Sequence, residues 1–301
     1  LKICTSLIMV GRLAKKNGKD VSPVLKNTKR NIMDRVFHTA KIGDIIYSLP
    51  AIIQRGGVKE YHIQREHAAE YLKPLLEHQP YIGLVAHSKN CPDKVDVNFE
   101  AYQTFYRLML GCDLIKLNCI TAGIRSHHFP LKLSGVTFHS EHVKYMDGMH
   151  IDLDEFRDTQ AWKPDKAFLT TLRVHAHDVI INRTPRYNED YFDYTLLKDY
   201  DCGFIGLEEE YEDFKKKYGD WSKYLEVNNA YEVAKFIGGS KLFVGNQSSC
   251  KAIAEGLKHP RLIEVSKYWP DAMPLGKYGH IVITKELIDY YIDNHNELEV
   301  I

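Results

Sequence analysis

Paired cysteines are missing from this chain. Its six cysteines (Cys4, Cys91, Cys112, Cys119, Cys202 and Cys250) are scattered through 301 residues, and none stands in a C-x-x-C spacing. That argues against a disulfide framework or a zinc site and for reduced thiols in a cytoplasmic protein. Charge of one sign is missing too: 40 Lys and Arg balance 40 Asp and Glu. The whole chain therefore gives no support for a nucleic-acid or membrane-surface partner, although a local patch remains open. No run approaches the roughly 20 apolar residues that span a bilayer. The longest early run, Ile3 to Val10, is broken by Thr5 and Ser6 and is followed by no small-residue cleavage pattern, so neither a transmembrane segment nor a leader is expected. Gly-x-Gly-x-x-Gly and Walker loops do not occur, so a dinucleotide enzyme or an NTPase is not indicated. His175-Ala176-His177-Asp178 suggests a metal at first sight. Its i, i+2 spacing points the imidazoles apart on a strand, and no second cluster accompanies it, so no metal is expected.

What is present is a globular chain. Hydrophobic residues make up 44% and charged residues 27%, and a chain this long suggests two domains. Residues 1–35 read as a basic extension with nine basic and two acidic residues, either a solvated terminus or an arm for phosphate-rich partners. The compact part is expected from Val36, in two domains, 36–165 and 166–301. Val36–Thr39 is strand-like. Ile45 to Gln54 has helical spacing and is stopped by Gly56-Gly57. Glu60–Gln64, Glu66–His78 and Tyr81–Val85 continue as strand, helix, strand. Tyr102, Phe105, Tyr106 and Met109 fit one helical face. A second alternation begins at Val179–Ile181. It continues through a strand at Gly203–Leu207 and a helix at Glu208–Tyr218, then a helix at Asn229–Ile237 ended by Gly238-Gly239. A strand at Lys241–Val244, a helix to Leu257, a strand at Arg261–Val265 and a final helix near Lys285–His295 complete it. This β-α alternation predicts an α/β fold of two Rossmann-like domains with parallel sheets.

Three segments that follow strands and open helices are candidates for chemistry, since ligands bind beyond the carboxyl ends of parallel strands. In Lys41-Ile42-Gly43-Asp44, Gly43 permits a tight turn, Lys41 flanks it, and Asp44 is either a general base or a helix cap. In Asn182-Arg183-Thr184-Pro185-Arg186-Tyr187-Asn188, Arg183, Thr184 and Arg186 offer donors for phosphate or else form ordinary surface ion pairs. In Gly245-Asn246-Gln247-Ser248-Ser249, the residues Asn246, Gln247, Ser248 and Ser249 make a neutral phosphate cradle or a plain N-cap.

Phe37-His38-Thr39-Ala40-Lys41-Ile42-Gly43-Asp44-Ile45-Ile46-Tyr47-Ser48-Leu49-Pro50-Ala51 resembles the N-terminal motif of the heptosyltransferase-like GT-B glycosyltransferases, glycosyltransferase family 9. The Val244–Ser249 turn and its helix, with Ala252, Ala254 and Gly256-Leu257, resemble that family's second motif. The similarity covers about residues 36–60 and 178–265. It implies a GT-B fold of two domains facing a central cleft, with a nucleotide-sugar donor held mainly by the C-terminal half. It also implies metal-independent, inverting transfer to an acceptor hydroxyl on a sugar, glycan or nucleic acid, with no cofactor besides the nucleotide-sugar substrate. Asp44 matches the family's proposed base, and Arg183, Thr184 and Arg186 lie where its donor-phosphate ligands stand. The chain departs from the pattern at the second motif: the family's Asp-Thr-Gly and later His are replaced by Asn246-Gln247-Ser248 and Lys251, which points away from a heptose donor. Other readings on such a scaffold are a nucleotide-sugar epimerase or hydrolase, a transferase acting on modified nucleic-acid bases, or a non-catalytic sugar-nucleotide binder.

Overall fold

The structure is a computed structural model, and it describes residues 32–99, 114, 118, 165–266, 272–295 and 297. The basic arm up to residue 31 and the helical face read at Tyr102–Met109 lie outside the described residues. The chain divides by its contacts into residues 1–31 and a compact unit, 32–301.

The N-terminal half of that unit runs β1 (Met33–His38), α1 (Ile42–Tyr47), α2 (Leu49–Arg55), β2 (Val58–Ile63), α3 (Glu66–Glu77), β3 (Ile82–His87) and the two-residue β4 (Val97–Asn98). All pairings are parallel, in the order β3-β2-β1-β4. The sheet begins at Met33, three residues ahead of the expected Val36, because Met33 N–H bonds Gly57 O and pairs with Val58. The single helix expected from Ile45 is two. Leu49-Pro50 opens a new helix, as proline favours in a first turn. Ser48 Oγ, at the break, donates to Ile45 O at 2.7 Å and shares a 2.7 Å hydrogen bond with Tyr61 Oη.

The C-terminal half runs β5 (Val179–Asn182), β6 (Cys202–Ile205), α4 (Glu208–Tyr218), β7 (Lys223–Leu225), α5 (Ala230–Gly239), β8 (Leu242–Asn246), α6 (Ser249–Leu257), β9 (Arg261–Glu264), β10 (Gly279–His280) and α7 (Lys285–Asp293). Its six parallel strands lie in the order β10-β9-β8-β5-β6-β7, the doubly wound order that reverses between β5 and β8. Alternate strand residues serve two cores. Ile180, Phe243 and Ile263 face one, and Val179, Ile181, Leu242, Val244 and Leu262 face the other, as expected of a parallel sheet covered on both faces. Gly238-Gly239 does not stop α5 but forms its last turn, and a Cβ on Gly239 would strike Val174 O at 2.2 Å.

One apolar cluster joins the halves. It contains Ile45, Ile46, Leu72 and Leu76 from the first half and Val233, Ile237, Ala252 and Ile253 from the second; α1 packs on α6 and α3 on α5. The connecting segment 165–177 is tied to both. Phe168 and Leu169 N–H groups donate to Gly256 O and Val174 N–H to Lys235 O, while Thr170 exchanges bonds of 2.9 and 3.0 Å with the Gln79 amide. Tyr81 Oη donates to Phe168 O.

Candidate functional site

Asp44 sits where β1 gives way to α1. It does not cap a helix starting at Ile45: the helix starts at Ile42, Lys41 is its N-cap, and the Asp44 carboxylate reaches back to accept the Lys41 N–H at 3.4 Å. Lys41 is exposed and Asp44 half-buried. The turn is shaped from beneath by His38, which is fully buried beside Phe99 with ring centroids 5.2 Å apart. Its Nδ1 accepts the Ala40 N–H at 3.1 Å. Burial pushes its pKa down to about 3 against the opposing pull of the Asp44 backbone, so the ring is neutral.

Gly43 is not at a tight turn, as the sequence suggested. It lies inside α1 without positive φ, and it marks the approach of α1 to α6: a Cβ there would stand 3.8 Å from Ala252 Cβ and 3.9 Å from Ser249 Cα. Hence the Lys41–Asp44 motif and the start of α6, about 200 residues apart in sequence, form one place. Lys251 spans the same seam. It is 1% exposed, and its Nζ donates to Tyr47 Oη at 2.7 Å and to Met273 O at 3.1 Å. Its Glu255 partner is shared with Lys258 and Arg261. Burial lowers the Lys251 pKa to about 8 against the pull of Glu255. Burial works to raise the Glu255 pKa, but the three cations, Arg261 foremost, outweigh it and hold that carboxylate down at about 2.

The donor-side residues divide sharply. Asn246 ends β8 fully buried, and its side chain is spent on the 183–188 loop. Nδ2 donates to Thr184 O (2.9 Å), Arg186 O (2.7 Å) and Asn188 Oδ1 (3.2 Å), and Oδ1 accepts the Thr184 N–H (3.2 Å). The amide is a clasp across the β5/β8 switch point. Ser248 caps α6, accepting the Lys251 N–H at 3.4 Å, and donates to Asn182 Oδ1 at 2.6 Å. Gln247 is buried and accepts the Ser266 N–H. Ser249 is half-buried as the first helical residue, where helix N–H groups have no intrahelical partner.

Arg183 is held inside the protein. It makes a two-armed bond to Glu264 at 3.0 and 3.3 Å, with Tyr194 and Tyr218 rings 5.6 and 5.4 Å from Cζ. Glu264, completely buried, also accepts from Tyr194 Oη and the Glu189 N–H. Burial works against the Arg183 charge, but Glu264 outweighs it and the pKa is raised. Thr184 Oγ1 donates to Arg186 O at 3.3 Å. Arg186 is exposed and bonded to the Tyr187 hydroxyl. His175 and His177, doubted as metal ligands, bond Gly239 O and Asp201 respectively. Among the described residues no group of three His, Cys, Asp or Glu side chains converges in metal-holding geometry.

These features define a two-halved, parallel α/β protein whose strand-end loops meet at the α1–α6 seam. No family model matches the chain, and no curated protein does. Among solved structures it is similar to the E. coli ADP-heptose lipopolysaccharide heptosyltransferase II, at 12% identity over 88% of this chain and 97% of that one, with a TM-score of 0.48. It is similar to E. coli heptosyltransferase WaaC with ADP-2-deoxy-2-fluoro heptose, at 15% identity over 87% and 97%, with a TM-score of 0.45. A third likeness, at 14% identity over 88% of each chain with a TM-score of 0.44, is to a putative UDP-N-acetylglucosamine 2-epimerase from Listeria monocytogenes. Among the described residues, no helix is long and apolar enough to cross a membrane.

Proposed function

We propose that this protein is a glycosyltransferase that moves a sugar from a nucleotide-sugar donor to an acceptor hydroxyl with inversion and without a metal. The observation that carries the reading is the convergence at Gly43 and Ser249, which brings the helix that carries the half-buried Asp44 against the first turn of α6 at the carboxyl ends of two parallel sheets. Asp44 accepts the proton of the acceptor hydroxyl. The acceptor oxygen attacks the anomeric carbon from the face opposite the diphosphate, and the bond from that carbon to the diphosphate oxygen breaks. One displacement inverts the centre. The departing nucleotide diphosphate gains negative charge, and Arg186, Lys41 and the α6 N-terminus supply the positive potential for it. Arg183 and Asn246 serve by building the loop rather than by touching the phosphates. No cofactor is assigned beyond the donor, and the acceptor is a hydroxyl on a sugar, a glycan or a nucleic acid.

The test is a panel of UDP-, ADP-, GDP- and CMP-sugars screened by thermal shift, followed by transfer assays with and without EDTA and assignment of the product anomer by NMR. A ligand at 100 times its dissociation constant adds about 2.7 kcal/mol of stability, an easily read shift. Stabilisation by one nucleotide class and EDTA-resistant transfer with inversion is the expected result. Donor turnover that needs no acceptor would instead make the protein an epimerase or hydrolase, and an unresponsive protein would remove the donor site altogether.

A further inference from the structure

Tyr187 has φ of 61°, a left-handed backbone that bulky side chains rarely adopt. Lys258, the other non-glycine residue with positive φ among the described residues, is a helix C-cap, where such a conformation is common. Tyr187 lies in the loop after β5. The chain on either side of it is pinned: Asn246 Nδ2 holds Arg186 O and Asn188 Oδ1, and Asn188 Nδ2 holds Pro185 O at 3.0 Å. The backbone at Tyr187 therefore cannot relax without breaking the clasp. Strain of this kind persists only where its surroundings over-determine it, and it concentrates at ligand clamps.

The strained residue folds its side chain back on its own neighbour. The Arg186 guanidinium carbon lies 4.8 Å from the Tyr187 ring centroid, and Nη2 donates to the Tyr187 hydroxyl at 2.5 Å. Arg186 is exposed, and among the described residues no carboxylate pairs with it, in contrast to Arg183 three residues earlier. An exposed arginine ordinarily samples many rotamers; this one is fixed by a ring and a hydroxyl that do not neutralise it. Among the described residues one of its five N–H donors is used, and the others are left in the planar fork that fits phosphate oxygens.

From this we infer that Tyr187 is a positioning residue that pre-sets Arg186 as a clamp for a diphosphate, its left-handed backbone being the means. The inference rests on the donor reading above and adds what orients the clamp. It is tested on the full chain by isothermal titration with inorganic pyrophosphate and with a nucleoside as the phosphate-free control, together with melting temperatures. Arg186→Ala weakens pyrophosphate about tenfold or more. Tyr187→Phe, which keeps ring and backbone but removes the hydroxyl, weakens it severalfold and leaves the nucleoside unchanged. Tyr187→Asn weakens it as much while the melting temperature holds or rises, because asparagine tolerates the left-handed region. If both Tyr187 variants bind pyrophosphate like the parent while Arg186→Ala does not, the positioning role is wrong and the donor reading stands. If Arg186→Ala also binds normally, both fall. A Tyr187→Asn protein that melts several degrees lower with unchanged affinity would show the ring to be structural and overturn the inference.

Discussion

Lys251 reaches from α6 to the Tyr47 hydroxyl of α1 at 2.7 Å, so a buried ammonium joins the helix that follows the Asn246–Ser248 turn to the helix that carries Asp44. Burial sets its pKa near 8, below the ordinary 10.5, against the opposing pull of Glu255. The unfolded chain therefore binds more protons than the folded one between about pH 8 and 10.5. Stability from this group rises with pH across that window and carries its full burial cost below it. A displacement of this size corresponds to about 3 kcal/mol. Denaturant melts of the parent and of Lys251→Met from pH 7 to 10.5 should show the parent gaining on the variant as pH rises. Parallel curves would mean that the amine titrates normally.

Arg183→Ala should destabilise the fold by about 3–5 kcal/mol, because it leaves the fully buried Glu264 without its cation. Arg186→Ala should stay within about 0.5 kcal/mol of the parent, since its side chain is exposed. Urea midpoints compare the two directly, and equal losses would contradict the division of labour between these arginines.

Asn246→Asp tests the clasp. The amide nitrogen faces two carbonyl oxygens, and a carboxylate there would repel them, so an acid does not suit this loop. The introduced aspartate should have a raised folded pKa. The variant is then weakest at neutral pH and recovers as pH falls toward 5, the reverse of ordinary acid loss. Melting curves at pH 5 and 7.5 read the sign, and a loss independent of pH would argue against it.

Asp44→Asn should keep melting temperature and donor affinity while lowering transfer by about 10²–10⁴-fold. The amide oxygen can still accept the Lys41 N–H that the carboxylate takes at 3.4 Å. Unimpaired turnover would leave Asp44 with its local structural role alone.

The alternation of strands and helices was legible because buried parallel strands are written as short apolar runs, and Glu208–Tyr218 with its Gly219 terminus coincides with the helix found. The Ser48 break was hidden within a continuous helical periodicity. Arg183 and Asn246 were legible as polar residues at strand ends, but not their roles. Glu264 lies 81 residues from Arg183, and Asn246 lies 62 residues from Thr184; partners so distant leave no local spacing. A glutamate closing the buried strand Arg261–Glu264 was the available sign that some cation had to meet it. Gly43 reads from the sequence as a tight turn, whereas the structure sets it at a helix–helix approach; both call for the same missing Cβ.

The connecting segment, hydrogen-bonded to Gln79 on one side and to Gly256 and Lys235 on the other, makes the boundary between the halves a mortared joint rather than a hinge. Heat should melt both sheets in one transition, and a protease cutting near residue 172 should leave two fragments that stay together. Access to the strand-end loops would then be governed by side chains and short loops, with the frame around them standing still.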